Sequence, residues 1–328
     1  MTDQTLVSVQ DLNVRFRSSS GEFTAVNGVS FDIRKGEVLG LIGESGSGKS
    51  VTLRAMMRLL PEQRSSLKGA IQVGGEDVLA MDARALRRYR GGTAAMVFQD
   101  PALALDPVYT VGQQIEEAVM WHRQCSRKLA RARALALLEM VKVPSPQSRL
   151  DNYPHEMSGG MRQRAMIALA LSCDPQLILA DEPTTALDAT VQIQVLLIIR
   201  ELQKKMGLGA IFVTHDLGVA AEICDRIAVM YAGRIVEIGS AQQLLSHPQH
   251  PYTQSLLRST VHGAMRGTRI AGIPGAPPDI RSLPDGCAFQ ARCSQSIPSC
   301  CSRRPDLAQT GPGHLSACLL TQQNHAHL

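Results

Sequence analysis

The run Gly43-Glu-Ser-Gly-Ser-Gly-Lys-Ser50 constrains this chain more than any other stretch of it. It satisfies the pattern G-x-x-x-x-G-K-[ST] in full, between an apolar stretch, Val38–Ile42, and a helical pattern beginning at Lys49. Its glycines let the backbone wrap so that successive N–H groups point inward, and the helix that follows adds its positive end. Such a loop cradles nucleotide phosphates. Gly43, Glu44, Ser45, Gly46, Ser47 and Gly48 form the cradle, and Lys49 reaches the β- and γ-phosphates. Ser50 offers a hydroxyl to Mg²⁺, and Val51 continues the helix.

The rest of the chain supplies the setting. Its 328 residues, 44% hydrophobic and 19% charged, are enough to bury a sizeable core, which excludes a disordered chain or a small disulfide scaffold. No apolar run approaches the roughly 20 residues of a membrane span. The start, MTDQTLVSVQ, lacks a basic region followed by an apolar stretch, so no secretory signal is expected and the cytoplasm is the expected compartment. Five Tyr, six Phe and one Trp, with no Lys/Arg run among them, give little basis for stacking on nucleic acid. Short β-rich runs (6–14, 25–33, 37–42, 95–98, 177–180, 210–214, 227–231, 234–238) alternate with helical patterns at 49–60, 111–121, 127–141, 160–171 and 189–206. That alternation predicts a mostly parallel sheet with helices on its faces, and the last two runs, joined by Ala232-Gly233, predict a hairpin.

Four further elements follow in order. Gln99 ends an apolar strand, and Ser158-Gly-Gly-Met-Arg-Gln163 opens a helix. Leu177-Ile-Leu-Ala-Asp181-Glu182 is an apolar strand ending in two carboxylates, and Val213-Thr-His215-Asp216 ends another. Singly, three of these read as a surface glutamine, a helix cap and a structural histidine, while the apolar strand ending in Asp181-Glu182 behind a phosphate loop already points to a magnesium site. In this order behind a phosphate loop, they resemble the ATP-binding cassette family over about residues 6–245. SGGMRQR, the run DEPTTALD from Asp181 to Asp188, and HPQHPYT from His247 to Thr253 are similar to the ATPase subunits of oligopeptide and dipeptide importers. Met161 stands where cassettes at large most often have Gln, and Met is usual in that subfamily.

The resemblance implies an ATPase using ATP and Mg²⁺. Asp181, with Ser50 and Gln99, would hold Mg²⁺; Glu182 would be the base that polarises the attacking water; His215 would contact the γ-phosphate. Gln99 would also report the nucleotide to a partner surface. Phe16 is the expected platform for adenine, with Phe23 as its alternative. Ser158, Gly159 and Gly160 would face a nucleotide held by the opposite subunit, with Asp188 in the same interface, so one chain would not complete a site. The implied fold is α/β: a phosphate-loop (RecA-like) ATP-binding cassette over residues 1–250. It would carry an antiparallel β subdomain and a helical signature subdomain at about 100–172, the latter with the groove for a permease.

Residues 251–328 differ in composition. They hold seven Arg and three Asp with no Lys or Glu, which is most of the net charge of +5, together with eight of the 17 Pro and five of the eight Cys. Such a shift marks a small cysteine-rich C-terminal extension, with one short helix expected at 253–258. With Cys301 passed over, Cys287, Cys293, Cys300 and Cys318 follow C-x₅-C-x₆-C-x₁₇-C, which is neither a zinc-ribbon nor a ferredoxin spacing. Spacing alone leaves zinc, iron–sulfur and bare thiols open. The segment from Gly286 to Cys318 resembles the end of oligopeptide and dipeptide importer subunits, some of which hold a [4Fe–4S] cluster, and this places the cluster first and bare thiols second.

As a function, the resemblance implies the ATP-hydrolysing subunit of a di- or oligopeptide importer, peripheral on the cytoplasmic face of the cell (inner) membrane. Its partners would be two transmembrane permease subunits and a second related ATPase, as a heterodimer or a homodimer. A periplasmic or extracellular substrate-binding protein would act indirectly, and no nucleic acid is expected. Glutathione, nickel or D-amino-acid dipeptide import are alternatives within the class. A soluble cassette ATPase acting on DNA or ribosomes is the more distant one, and the 108 residues from Ser50 to Ser158 leave no room for the long insertions of repair cassettes.

Overall fold

Strands form where apolar residues run continuously or alternate, and helices where they recur every third or fourth position. The computed structural model describes residues 4–19, 21–183, 189–259 and 272–325. In chain order it opens with β1 (Thr5–Ser18), β2 (Gly21–Arg34), β3 (Val38–Ile42), α1 (Lys49–Met56), β4 (Ser65–Val73) and β5 (Glu76–Asp77). Next come α2 (Ala83–Gly92), β6 (Ala94–Val97), α3 (Pro101–Ala104), α4 (Val111–Arg123), α5 (Arg127–Met140), α6 (Pro146–Arg149) and α7 (Gly159–Ala170). Then follow β7 (Leu177–Asp181), α8 (Ala189–Met206), β8 (Gly209–Thr214), α9 (Leu217–Ile223), β9 (Arg226–Tyr231), β10 (Arg234–Ser240) and α10 (Ala241–Ser246). The extension contributes α11 (Pro251–Ser259), α12 (Ser299–Ser302), β11 (Ala308–Gly311), β12 (His314–Ser316) and α13 (Leu319–His325). Among the described residues no helix is long and apolar enough to cross a membrane.

The chain folds into two compact units that interleave along the sequence. The first takes the chain up to Val7, Ile33–Gly36 and Gln72–Ile211; the second takes Ser8–Asp32, Glu37–Ile71 and the chain from Phe212 onward. The extension groups in the second unit with β3, β9 and β10.

In the first unit β6 and β7 pair in parallel, Ala94 opposite Leu177 and Val97 opposite Ala180, with both strands buried throughout. Helices α3, α4, α5 and α7 pack on one another over Ile115, Val119, Leu137, Leu138 and Ala165. Their ends are fixed by side-chain caps. Thr110 and Gln113 form a capping box on α4, and Ser126 accepts from Leu129 N–H on α5, each such cap contributing about 1 kcal/mol. Glu116 is buried on α4 with its carboxylate bonded to Arg127 (3.0 Å) and Arg131 (3.1 Å), and Arg131 reaches on to Asp151 (2.8 Å). A buried carboxylate left without such partners would be strongly destabilising.

In the second unit β3 and β9 are parallel, Leu39 opposite Arg226 and Ile42 opposite Val229. β9 and β10 form the predicted hairpin, with Ala232 (φ 49°) and Gly233 (φ 80°) both left-handed, as a tight two-residue turn requires. The extension was expected to hold one short helix, and α11 is that helix. It also supplies two strands: β12 pairs antiparallel with β10 (Glu237 opposite Ser316), and β11 with β12. Strands this short, of four and three residues, carry too little alternation to be read from sequence. They are anchored by Glu237, fully buried, whose carboxylate accepts from Gln249 N–H (2.7 Å) and His250 N–H (2.9 Å) and lies 2.7 Å from His314 Nε2.

Other departures have local causes. α1 stops at Met56 instead of running to 60, because Arg58 takes φ 49° and no helix continues through such a residue. β4 was not foreseen, since most of its residues are exposed or half-buried and Gly69 interrupts it.

Candidate functional site

The phosphate loop has the geometry its sequence requires. Gly43 sits at φ 156°, and a Cβ there would stand 2.2 Å from the Met230 carbonyl oxygen. Gly48, the residue capping α1, sits at φ 104°, and its Cβ would stand 2.8 Å from the Ala25 carbonyl. Both positions admit only glycine, so these two residues fix the curl of the loop. Gly233 N–H donates to the Ser47 carbonyl (3.0 Å), tying the loop to the β9–β10 turn. Lys49 is buried, and its ammonium donates to the carbonyls of Gly43 (2.7 Å) and Glu44 (2.9 Å) and contacts Ser47 Oγ (3.5 Å). A cation is thereby held against the concave side of a loop rich in N–H donors, which suits a polyphosphate.

In the same unit Phe16 and Phe23, the two aromatics expected to serve adenine, stack on each other with centroids 5.7 Å apart. His215 follows β8 and is exposed; Asp216 beside it caps α9 by accepting from Gly218 N–H (2.8 Å) and Val219 N–H (3.1 Å).

The first unit holds the remaining expected residues. Asp181 ends β7 and is 2% exposed, an oxygen donor of the hard kind that Mg²⁺ takes. Glu182 is half-buried and sits at φ 43°, a left-handed conformation that costs a non-glycine residue about 1–3 kcal/mol and persists where surrounding structure imposes it. Gln99 is exposed just past β6. Ser158 caps α7, its hydroxyl accepting from Met161 N–H (3.3 Å), and Gly159 and Gly160 form the first turn. Asp188 lies outside the described residues.

The extension brings a group of residues to the phosphate loop that sequence reasoning missed. Arg292 grips the Glu44 carboxylate with both terminal nitrogens, 2.6 Å and 2.9 Å. Tyr252 accepts from the Glu44 backbone N–H (2.9 Å). Tyr231, Tyr252 and Phe289 pack mutually at 4.6–5.3 Å between centroids. Beside the loop a cavity of about 220 Å³ is lined by Glu44–Ser47 and by residues 277–280 of the extension. The run HPQHPYT drew attention to Tyr252 without showing what it touches. No sequence signal joins Arg292 to a glutamate 248 positions away.

No disulfide joins any of the cysteines. Burial pushes the Cys287 thiol up, and the neighbouring Cys300, Cys293 and Cys318 push it the same way. Cys293 is raised first by its burial and then by Cys318 and Cys300. These are the four expected residues, within electrostatic reach of one another, while Cys301 next in sequence is exposed. Cys287 N–H donates to the Cys300 carbonyl (2.8 Å), which holds two of the four segments together. No group of three or more His, Cys, Asp or Glu among the described residues is arranged to hold a metal ion. Of the remaining cysteines, Cys224 is buried, and Cys125 and Cys173 are half-buried.

Comparison with known proteins joins these observations. A family model described as ABC transporter matches residues 26–185, and one described as oligopeptide/dipeptide transporter, C-terminal region, matches residues 236–300. The chain is 48% identical over 316 residues to "Probable peptide ABC transporter ATP-binding protein y4tR" of Sinorhizobium fredii, covering 95% of this chain and 94% of that one. It is 44% identical over 325 residues to the dipeptide transport ATP-binding protein DppD of Bacillus subtilis, covering 99% and 97%. A solved ATP-binding cassette dimer, MJ0796 in a post-hydrolysis state bound to ADP and Pi, matches with a TM-score of 0.64 at 27% identity, over 72% of this chain and 98% of that one. The phosphate loop, the α/β fold with its mixed strand pairing and these full-length relatives lead to one conclusion: the chain belongs to the ABC transporter family and is one of its ATP-hydrolysing subunits.

Proposed function

We propose that this subunit energises import of di- or oligopeptides, as half of a nucleotide-sandwich dimer on two transmembrane permease subunits. The observation that carries the peptide class is the match of residues 236–300 to the oligopeptide/dipeptide transporter C-terminal region, together with relatives named for peptide and dipeptide transport. The second ATPase is a related chain in a heterodimer, or a second copy of this one in a homodimer, and a substrate-binding protein delivers cargo to the permeases. The subunit works peripherally at the cytoplasmic face of the membrane. Residues 1–250 serve as the cassette and 251–328 as an extension of it.

In this reading the loop residues Gly43–Val51 and Phe16 bind ATP, and Lys49 neutralises the β- and γ-phosphates. Ser50, Gln99 and Asp181 are the oxygen ligands for Mg²⁺, which when bound offsets charge developing on the phosphoryl oxygens. Glu182 accepts the proton of the attacking water. His215 orients the γ-phosphate, and Gln99 reports its presence to the permease side. Ser158, Gly159 and Gly160 serve the partner's nucleotide through a capped helix N-terminus, with Asp188 beside them in the interface. Cys287, Cys293, Cys300 and Cys318 would be the ligands of a [4Fe–4S] cluster; soft thiolates suit iron–sulfur, although the four are not arranged to hold a metal ion as they stand. The cluster's contribution is structural, fastening the extension.

Fractionation of native cells tests the assignment. The chain is expected in the membrane fraction while its permease partners are present and in the soluble fraction once their genes are deleted. A chain that stays soluble in both strains, or co-sediments with ribosomes or DNA, would contradict it.

A further inference from the structure

We infer that Arg292 is a positioning residue for the phosphate loop, acting through Glu44, so that affinity for nucleotide depends on the C-terminal extension. The inference rests on the reading of Gly43–Ser50 as the ATP-binding loop.

The contact is a fork on a fork: Nη1 to one carboxylate oxygen at 2.6 Å and Nη2 to the other at 2.9 Å. This bidentate geometry fixes direction as well as distance. The Arg292 side chain is only 5% exposed, so water does little to screen the pair. Two further donors are engaged: Nε donates to the Pro274 carbonyl (2.9 Å) and Nη1 to the Tyr231 hydroxyl (3.3 Å). Gly275, at φ 75°, lets the extension pass close over the arginine stem, where a Cβ would stand 3.3 Å from Cγ. The guanidinium is therefore held by the extension and by β9 as well as by the loop.

On the loop side Glu44 is held twice, by its carboxylate on Arg292 and by its backbone N–H on the Tyr252 hydroxyl (2.9 Å). The carbonyls of Gly43 and Glu44 are in turn two of the acceptors of the Lys49 ammonium. Releasing the Glu44 carboxylate loosens the residue that presents one of those carbonyls and adjoins the other, and with it the placement of Lys49. Arg292 touches no phosphate by this route. It sets the shape of the loop that does.

The test is equilibrium titration of the full chain with Mg²⁺ and a fluorescent mant-ATP. Wild type is compared with Arg292→Ala, Arg292→Lys, Glu44→Gln and the Arg292→Ala/Glu44→Gln pair, with Lys49→Ala as the control on the reading itself. Arg292→Ala and Glu44→Gln are each expected to weaken binding about tenfold, the scale of one charge-assisted contact. The pair should bind no worse than either single variant, because both remove one interaction. Arg292→Lys, which keeps the charge and loses the fork, should fall between. Wild-type affinity in Arg292→Ala, or losses that multiply in the pair, would overturn the inference. If Arg292→Ala does not fold, the near-isosteric Glu44→Gln and Arg292→Lys carry the same comparison. If Lys49→Ala binds as tightly as wild type, it is the loop reading that fails, and the inference with it.

Discussion

The phosphate loop and the cysteine-bearing segment of the extension make an instructive pair, because both lie in one unit and are fastened to each other, yet they specify themselves in opposite ways. The loop is eight consecutive residues whose shape comes from backbone: Gly43 and Gly48 occupy positions closed to any side chain. The extension spreads Cys287, Cys293, Cys300 and Cys318 over 32 residues and depends on long-range contacts to hold them: β12 on β10, Glu237 with His314, and Arg292 on Glu44. A site made of backbone can be read as a motif. One made of side chains from separate segments exists only once the fold has gathered them. Damage should divide accordingly, abolishing function in the loop and weakening it in the extension.

The largest effect is expected from Gly43→Ala. A methyl group 2.2 Å from the Met230 carbonyl oxygen, on a residue at positive φ, cannot be accommodated without moving the loop. Mg²⁺·ATP affinity in an equilibrium titration should fall by about a hundredfold or more. Retained affinity would mean that the loop is not shaped by this contact.

Next comes the acid sensitivity of the extension. Burial holds the His250 imidazole down to about 4, against the opposing pull of Glu237. Once unfolded, His250 titrates near its ordinary value, so the unfolded chain takes up a proton below about pH 6.5 that the folded chain refuses. Stability is thus lost as pH falls from about 6.5 towards 4, by about 2 kcal/mol at pH 5. Thermal melts at pH 7.5 and pH 5 should show the drop, and His250→Asn should flatten it. An equal slope in the variant would assign the acid loss elsewhere.

The smallest effect on nucleotide is expected from Cys287→Ser. Anaerobically purified wild type should be brown, with about four iron per chain, and the variant colourless. Limited proteolysis should cut the variant faster between residues 285 and 319, while Lys49-dependent ATP binding persists and weakens no further than in Arg292→Ala. Stoichiometric zinc in a colourless wild type would replace the cluster with a zinc site, and no metal at all would leave ordinary thiols.

Legibility followed the same division. The loop, the Ser158 cap, the Ala232-Gly233 hairpin and the β6 and β7 strands were readable because each is dictated within a few residues by glycine, a capping side chain or an unbroken apolar run. The strands of the extension were not, since β11 and β12 are too short to show a period and form only because the edge of β10 is available. Arg292 was invisible for a related reason: an arginine beside Cys293 reads as a solvated charge until the fold carries it to Glu44. The roles of Glu182 and His215 were assigned through family resemblance. What the structure adds for Glu182 is the imposed φ of 43°, which no sequence pattern announces.

In the proposed function Gly43–Ser50 binds the nucleotide and Glu182 activates the water that cleaves it. The ATP affinity and single-turnover hydrolysis rate of Glu182→Gln in the assembled transporter test this most directly. Expected are unchanged affinity, a closed nucleotide-bound dimer, and hydrolysis slower by about 10²–10⁴, equal to roughly 3–5 kcal/mol of barrier. Hydrolysis within a few fold of wild type would contradict it.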